Sequence, residues 1–267
     1  MNLQFEKYSA HGNDFIIIDN RKYKLPLQNE ALFQKICTRR LSVGADGVIL
    51  IDTEEPDFRA HFYNSDGKAT SMCGNGSRAI VDYAHNTGIV VSRGTFWVWG
   101  KKHHFVIEGD SIGGEIHIES PIIKPQTLHF DADTYNGYIC NTGVPHLVFI
   151  TSGDIPEATI DFARKVRYAP IFSTEGINVN WVQIIDPHTI TIRTYERGVE
   201  DFTLSCGTGA VAAVCVCREH SGIQLPVSVR SLGGTLRVEP GNTPNSLWIW
   251  GTVSHVFTGI IDDINLV

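Results

Sequence analysis

The chain has 267 residues, 42% hydrophobic and 19% charged, with a formal net charge of −7. That is enough apolar material for one large domain or two small ones, each with a well-buried core. An acidic chain without a basic tract is a poor nucleic-acid binder, because neutralising phosphates needs clustered Lys and Arg, and no apolar run approaches a membrane span.

In chain order, the opening MNLQFEKYSAHGND shows no basic segment followed by an apolar one, so a cytoplasmic location is expected. Gly12-Asn13-Asp14-Phe15 leads into the strand-like IIID. FQKICTRR reads as an amphipathic helix with Cys37 on its core face. Met72-Cys73-Gly74-Asn75-Gly76 opens a helical pattern, SRAIVDYAH, in which Arg78 reads as a structural ion-pair partner. TFWVWGKKHHFVIEGDSIGGEIHI then alternates like paired strands. In the second half, Gly143-Val144-Pro145-His146 leads into LVFI, and Ser205-Cys206-Gly207-Thr208-Gly209 opens AVAAVCVCREH. Cys215 and Cys217 lie in that apolar run as C-x-C, so buried thiols are expected rather than zinc ligands. The remaining segments VSVRSLGGTLRVEP and SLWIWGTV are strand-like again.

This order is written twice. Both cysteine motifs read C-G-x-G, and Cys73 and Cys206 are 133 residues apart, almost half the chain. Phe62-Tyr63-Asn64 matches Thr194-Tyr195-Glu196 and Val43-Gly44-Ala45-Asp46 matches Glu175-Gly176-Ile177-Asn178, each at an offset of 132. The Gly12 and Gly143 motifs match at 131. Four matches in order predict two similar strand-rich domains, about 1–125 and 126–255, each with one central helix, and a 256–267 tail crossing back to the first. A pseudo-twofold relation would set equivalent loops on either side of a cleft.

C-G-x-G at a helix start carries chemistry. The first turn presents unpaired N–H groups and roughly half a positive charge, which attracts anions and stabilises a thiolate. Two such loops would hold a carboxylate and put a thiol on each face of a bound α-carbon. One thiolate would take the α-proton while the opposite thiol delivers another, inverting the centre. No lysine stands in an evident cofactor-binding setting and no metal-ligand cluster is visible, so no cofactor and no metal are expected. The alternative is that both cysteines are small buried residues at tight turns.

Nearly the whole chain resembles the diaminopimelate epimerase family. The resemblance runs through His11-Gly12-Asn13-Asp14-Phe15, Arg40-Leu41-Ser42-Val43-Gly44-Ala45-Asp46-Gly47, Tyr63-Asn64-Ser65-Asp66-Gly67 and the Cys73 motif. It continues through Asn141-Thr142-Gly143-Val144-Pro145-His146, Asn178-Val179-Asn180, Tyr195-Glu196-Arg197-Gly198 and the Cys206 motif. It implies an α/β (α+β) fold of two pseudo-symmetric domains, each a barrel-like, mostly antiparallel sheet around a central helix. It implies the interconversion of LL- and meso-diaminopimelate, on the route to lysine and peptidoglycan. By resemblance, Cys73 and Cys206 are the acid/base pair, and Asn13, Asn64, Asn178, Glu196 and Arg197 hold substrate. Gly74, Asn75, Gly207 and Thr208 bind the reacting carboxylate by backbone, and His146 and Glu196 tune the thiols. The physical characters agree: Arg197 suits a bidentate grip on a distal carboxylate, and Asn64 and Asn178 offer both donor and acceptor.

Departures concern the far end of the substrate. Val144 stands where many members have Asn, and Phe202 where Glu is usual. The 198–205 loop is one residue longer, and Gly47 fills a place that is polar in some members. A racemase of another amino acid, of histidine or proline type, or a non-catalytic amino-acid-binding protein on the same fold therefore stays open. The expected partner is a small amino acid, with no nucleic acid and no membrane. A homodimer stays open, since the sequence does not fix the oligomeric state.

Overall fold

The computed structural model describes residues 2–54, 57–118, 122–130, 132–155, 160–172 and 175–262. The chain divides into two compact units, Met1–Glu115 with Trp250–Val267, and Ile116–Ile249. Both cuts fall earlier than the 125 and 255 expected from the repeat. Strand pairing decides the second: Ser254–Ile261 runs antiparallel along Leu3–Ala10, tying the end of the chain to the first unit from residue 250 onward. Of the 256–267 tail, residues 263–267 lie outside the described residues.

Each unit is an α+β domain with one central helix packed on a mixed sheet, and the two repeat one ladder order. In the first unit Leu3–Ala10 pairs antiparallel with Asn13–Asp19, which runs parallel to Gly47–Glu54. Gly47–Glu54 pairs antiparallel with Asp57–Asn64, which runs parallel to Arg93–Val98, itself antiparallel to Lys101–Glu108. In the second unit Asp133–Asn141, Pro145–Thr151, Asn178–Asp186, Thr189–Glu196, Val227–Ser231 and Gly234–Pro240 alternate antiparallel and parallel in the same sequence.

Alternation along the strands gives each sheet two apolar faces. In the run FIIID, Phe15 and Ile17 join Ile49, Ile51, Phe58 and Phe62 around the helix Gly74–Asn86. Ile16 and Ile18 point the other way, with Val48 and Leu50, to meet Leu32, Phe33 and Ile36 of the helix Glu30–Cys37. That outer helix starts where Asn29 Oδ1 accepts from the Leu32 N–H at 3.1 Å, a side-chain cap worth about 1 kcal/mol. The second unit repeats the plan. Val148 and Val182 pack on the helix Gly207–Ser221, while Leu147, Phe149, Val179 and Trp181 meet the helix Ile160–Arg167. Cys37, Cys140 and Cys217 are core residues, and burial pushes the thiols of Cys37 and Cys217 up to about 12. Among the described residues no helix is long and apolar enough to cross a membrane.

Candidate active site

Cys73 and Cys206 occupy the same structural position in the two units. Each is the N-cap of its central helix, with extended backbone (φ −109°, ψ 129° and φ −129°, ψ 111°) and no side-chain capping bond. The helical ladders begin with Ser77 N–H to Cys73 O at 2.8 Å and Ala210 N–H to Cys206 O at 2.9 Å. The N–H groups of Gly74, Asn75 and Gly76, and of Gly207, Thr208 and Gly209, therefore have no partner within their helices. A Cβ at Gly74 or Gly207 would meet nothing within 4 Å, so packing does not require those two glycines. Gly76 and Gly209 are required: a Cβ would lie 2.8 Å from the Phe62 ring and 2.7 Å from Asn180 Oδ1, respectively.

In the first unit a polar chain runs from the sulfur to the surface. The half-buried Cys73 Sγ lies 3.7 Å from Asn13 Oδ1, which also accepts from Asn75 Nδ2 at 3.3 Å. Asn13 Nδ2 donates to Asp46 Oδ2 at 2.8 Å, and Arg39 bridges Asp46 and Asp14. Burial would raise the Asp14 carboxyl, but hydrogen bonds from Arg39 and Lys7 hold it down at about 2. Asn64 ends its strand with the side chain exposed. Arg78 is not the ion-pair member expected: it is 2% exposed, donates to Asn75 Oδ1, and pairs with no carboxylate of the described residues. Burial pulls its guanidinium down to about 10, and the charge of a Cys73 thiolate acts in the opposite sense. A buried cation so placed favours ionised sulfur at Cys73. Burial, then the Arg78 charge, also keeps His11 neutral down to about 4.

In the second unit Cys206 Sγ is 3.5 Å from Thr208 Oγ1, and Thr208 Oγ1 is 3.1 Å from His146 Nε2. His146 is fully buried, and its Nδ1 faces Asn180 Nδ2 at 3.1 Å. Burial and, to a smaller extent, the Arg197 charge push the imidazole down to about 3. Asn178 ties two elements together: its Nδ2 donates to Pro145 O at 3.1 Å and its Oδ1 accepts the Arg197 N–H at 2.8 Å. The Arg197 side chain meets the exposed Glu175 at 3.2 Å, and half-buried Glu196 ends the strand before it.

The departures resolve into packing. Phe202 does not face the inner helix. Its ring sits 5.8 Å from those of Trp181 and Tyr195 in the outer core, under the Arg193 guanidinium. The loop after Arg197 is anchored by Glu200, which accepts from Arg167 at 3.0 Å and from the Gly198 N–H at 3.0 Å. Gly47 is demanded by the backbone, since a Cβ there would lie 2.6 Å from Tyr63 O. Val144 is half-buried and closes a turn, its carbonyl accepting from the Thr142 N–H at 3.2 Å. Among the described residues no three His, Cys, Asp or Glu side chains gather as a metal cluster would. Asn180 and Thr194 escaped the sequence reading as site residues. Their signal was a polar residue at an inward strand position on each of two neighbouring strands.

The sequence profile of the diaminopimelate epimerase family matches residues 5–118 and 138–253. The chain belongs to the diaminopimelate epimerase family. Diaminopimelate epimerase of Flavobacterium psychrophilum is 38% identical over 248 residues, 92% of this chain and 93% of that protein. That of Aquifex aeolicus is 36% identical over 283 residues, 98% of each. Two solved structures share the fold alone. A phenazine biosynthesis PhzF family protein of Enterococcus faecalis has a TM-score of 0.72 and 15% identity, over 98% of this chain and 99% of that one. A hydroxyproline epimerase of Agrobacterium vitis has a TM-score of 0.68 and 13% identity, over 97% and 92%. Membership makes the protein an isomerase that works without pyridoxal phosphate on a small amino-acid-like substrate.

Proposed function

We propose that the protein interconverts LL- and meso-diaminopimelate, with Cys73 and Cys206 as the two bases on opposite faces of the α-carbon. The observation that carries this reading is the pair of helix N-caps: in each unit the residue presented at a helix mouth is a cysteine that spends no side-chain bond on capping. One thiolate removes the α-proton. The C–H electron pair passes into the substrate carboxylate, held by the first-turn N–H groups of Gly74, Asn75, Gly207 and Thr208. The opposite thiol then protonates the α-carbon. Fixed donors aimed at growing negative charge are the largest single source of such stabilisation, and they need no reorganisation as the carbanion forms.

Diaminopimelate is preferred to proline because of its second carboxylate. Arg197 answers that group, and its present partner Glu175 is 79% exposed, an ion pair worth about 0–1 kcal/mol that a bidentate substrate carboxylate displaces. Asn13, Asn64 and Asn178 orient the amino and carboxylate ends, while His146 and Glu196 tune the thiols. The test is chiral chromatography after incubating reduced protein with LL-diaminopimelate, histidine and proline. Inversion of diaminopimelate alone is expected; inversion of histidine or proline with diaminopimelate unchanged would overturn the substrate assignment.

A further inference from the structure

The hydrogen bonds beneath Cys206 fix the orientation of the Asn180 amide and the tautomer of His146. Leu147 O can only accept, so the Asn180 amide nitrogen must face it, at 3.1 Å. The Thr194 hydroxyl, at 2.9 Å, then donates to Asn180 Oδ1. The second Asn180 N–H points at His146 Nδ1, which must carry a lone pair. A neutral imidazole with a bare Nδ1 has its proton on Nε2. That proton goes to Thr208 Oγ1, so the Thr208 hydroxyl hydrogen is not spent on His146 and is donated to Cys206 Sγ when that sulfur is a thiolate. Gly209 lets the helix settle onto this group, since a Cβ there would touch Asn180, Thr194 and Cys206 at once.

The fold itself does not require this polar floor. Beneath Gly76, the equivalent glycine of the first unit, the same three strands contribute Phe15, Ile49 and Phe62. The second unit has His146, Asn180 and Thr194 at those places, all buried. Three apolar side chains build the architecture without any desolvation cost, so the polar trio serves something other than packing.

We propose that Asn180, held by Thr194, is a positioning residue: it fixes the His146 proton on Nε2 and thereby turns the Thr208 hydroxyl onto Cys206, stabilising that sulfur as a thiolate. The inference deepens the two-thiol reading and rests on it for its role in turnover. His146 acts through Thr208, and Arg197 is the charged group whose field reaches the imidazole, reinforcing its neutral state.

The test uses the full chain, with ¹⁵N-histidine NMR to read the His146 tautomer and mass spectrometry to follow iodoacetamide modification of Cys206 in a Cys73→Ser background. Wild type is expected to carry the proton on Nε2. Asn180→Asp, whose carboxylate accepts from Nδ1–H, is expected to move it to Nδ1 and slow Cys206 alkylation about tenfold, the worth of one hydrogen bond to a charged group. Thr208→Val should slow it equally and Thr208→Ser should restore it. A wild-type proton on Nδ1, or Thr208→Val alkylating at the wild-type rate, would overturn the proposal even if Asn180→Asp fails to fold. A protein with the expected tautomer and reactivity that leaves diaminopimelate untouched supports this inference and removes only the substrate assignment.

Discussion

The two central helices begin alike and rest on different floors. In the first unit the helix lies on Phe15, Ile49 and Phe62, and its cysteine meets Asn13, which Asn75 also bonds, and feels the charge of the buried Arg78. In the second the corresponding residues are His146, Asn180 and Thr194, and the position matching Arg78 is the buried Val211. One sulfur sits near a buried cation; the other is addressed by a chain of neutral hydrogen bonds. Duplication preserved the strand order and the N-cap cysteine, while the means of influencing each sulfur diverged. The proposed two-thiol inversion needs one sulfur ionised while the other is protonated, and each of these surroundings stabilises the thiolate when its own sulfur is the base.

The comparison breaks most visibly at the cysteines. Cys73→Ala and Cys206→Ala are each expected to lower turnover at least about 1,000-fold, since on the proposed mechanism each removes one of two obligatory proton carriers; steady-state epimerisation assays measure this, and full activity in either variant would remove the two-base assignment. The glycines come next. Gly76→Ala and Gly209→Ala should each cost about 1–3 kcal/mol in urea unfolding through overpacking. Only Gly209→Ala should also slow Cys206 alkylation, because its Cβ presses on Asn180 and the sulfur. Arg78→Met should slow alkylation of Cys73 about tenfold and leave Cys206 unchanged, the expected result of withdrawing one nearby positive charge.

The smallest effect is in the pH dependence of stability. His146 and His11 are held at about 3 and about 4 in the fold, below the unfolded value of about 6.5. Between those values the unfolded chain binds more protons, so stability falls as pH drops below about 6.5 and recovers above it. Replacing His146 by Gln should flatten the loss between pH 6 and 5 by about 1 kcal/mol, read from denaturant midpoints. An unchanged slope would mean that His146 is charged in the fold.

Much of this could be read before any coordinates. The apolar runs IIID and LVFI were legible as strands, and the duplicated C-G-x-G placed a cysteine at each helix mouth. What stayed hidden depended on three-dimensional neighbours. Arg78 resembles any helical arginine until its surroundings prove to hold no carboxylate. Asn180 and Thr194 are fourteen residues apart and meet only because their strands pair directly opposite each other. Phe202 stood out as a departure near the site, yet the same pairing register turns it into the outer core. The tail's return to the first unit was expected; where it begins depends on strand pairing that neither offset nor composition sets.

Incubation of LL-diaminopimelate in D₂O, stopped in the first turnovers, tests the central claim most directly. The account predicts meso product carrying one solvent deuterium at the inverted α-carbon while the remaining LL substrate stays protiated, because one sulfur takes the α-proton and the other delivers a solvent-derived deuteron. Product that retains the substrate's own α-hydrogen, or deuterium appearing equally in both pools from the start, would contradict it.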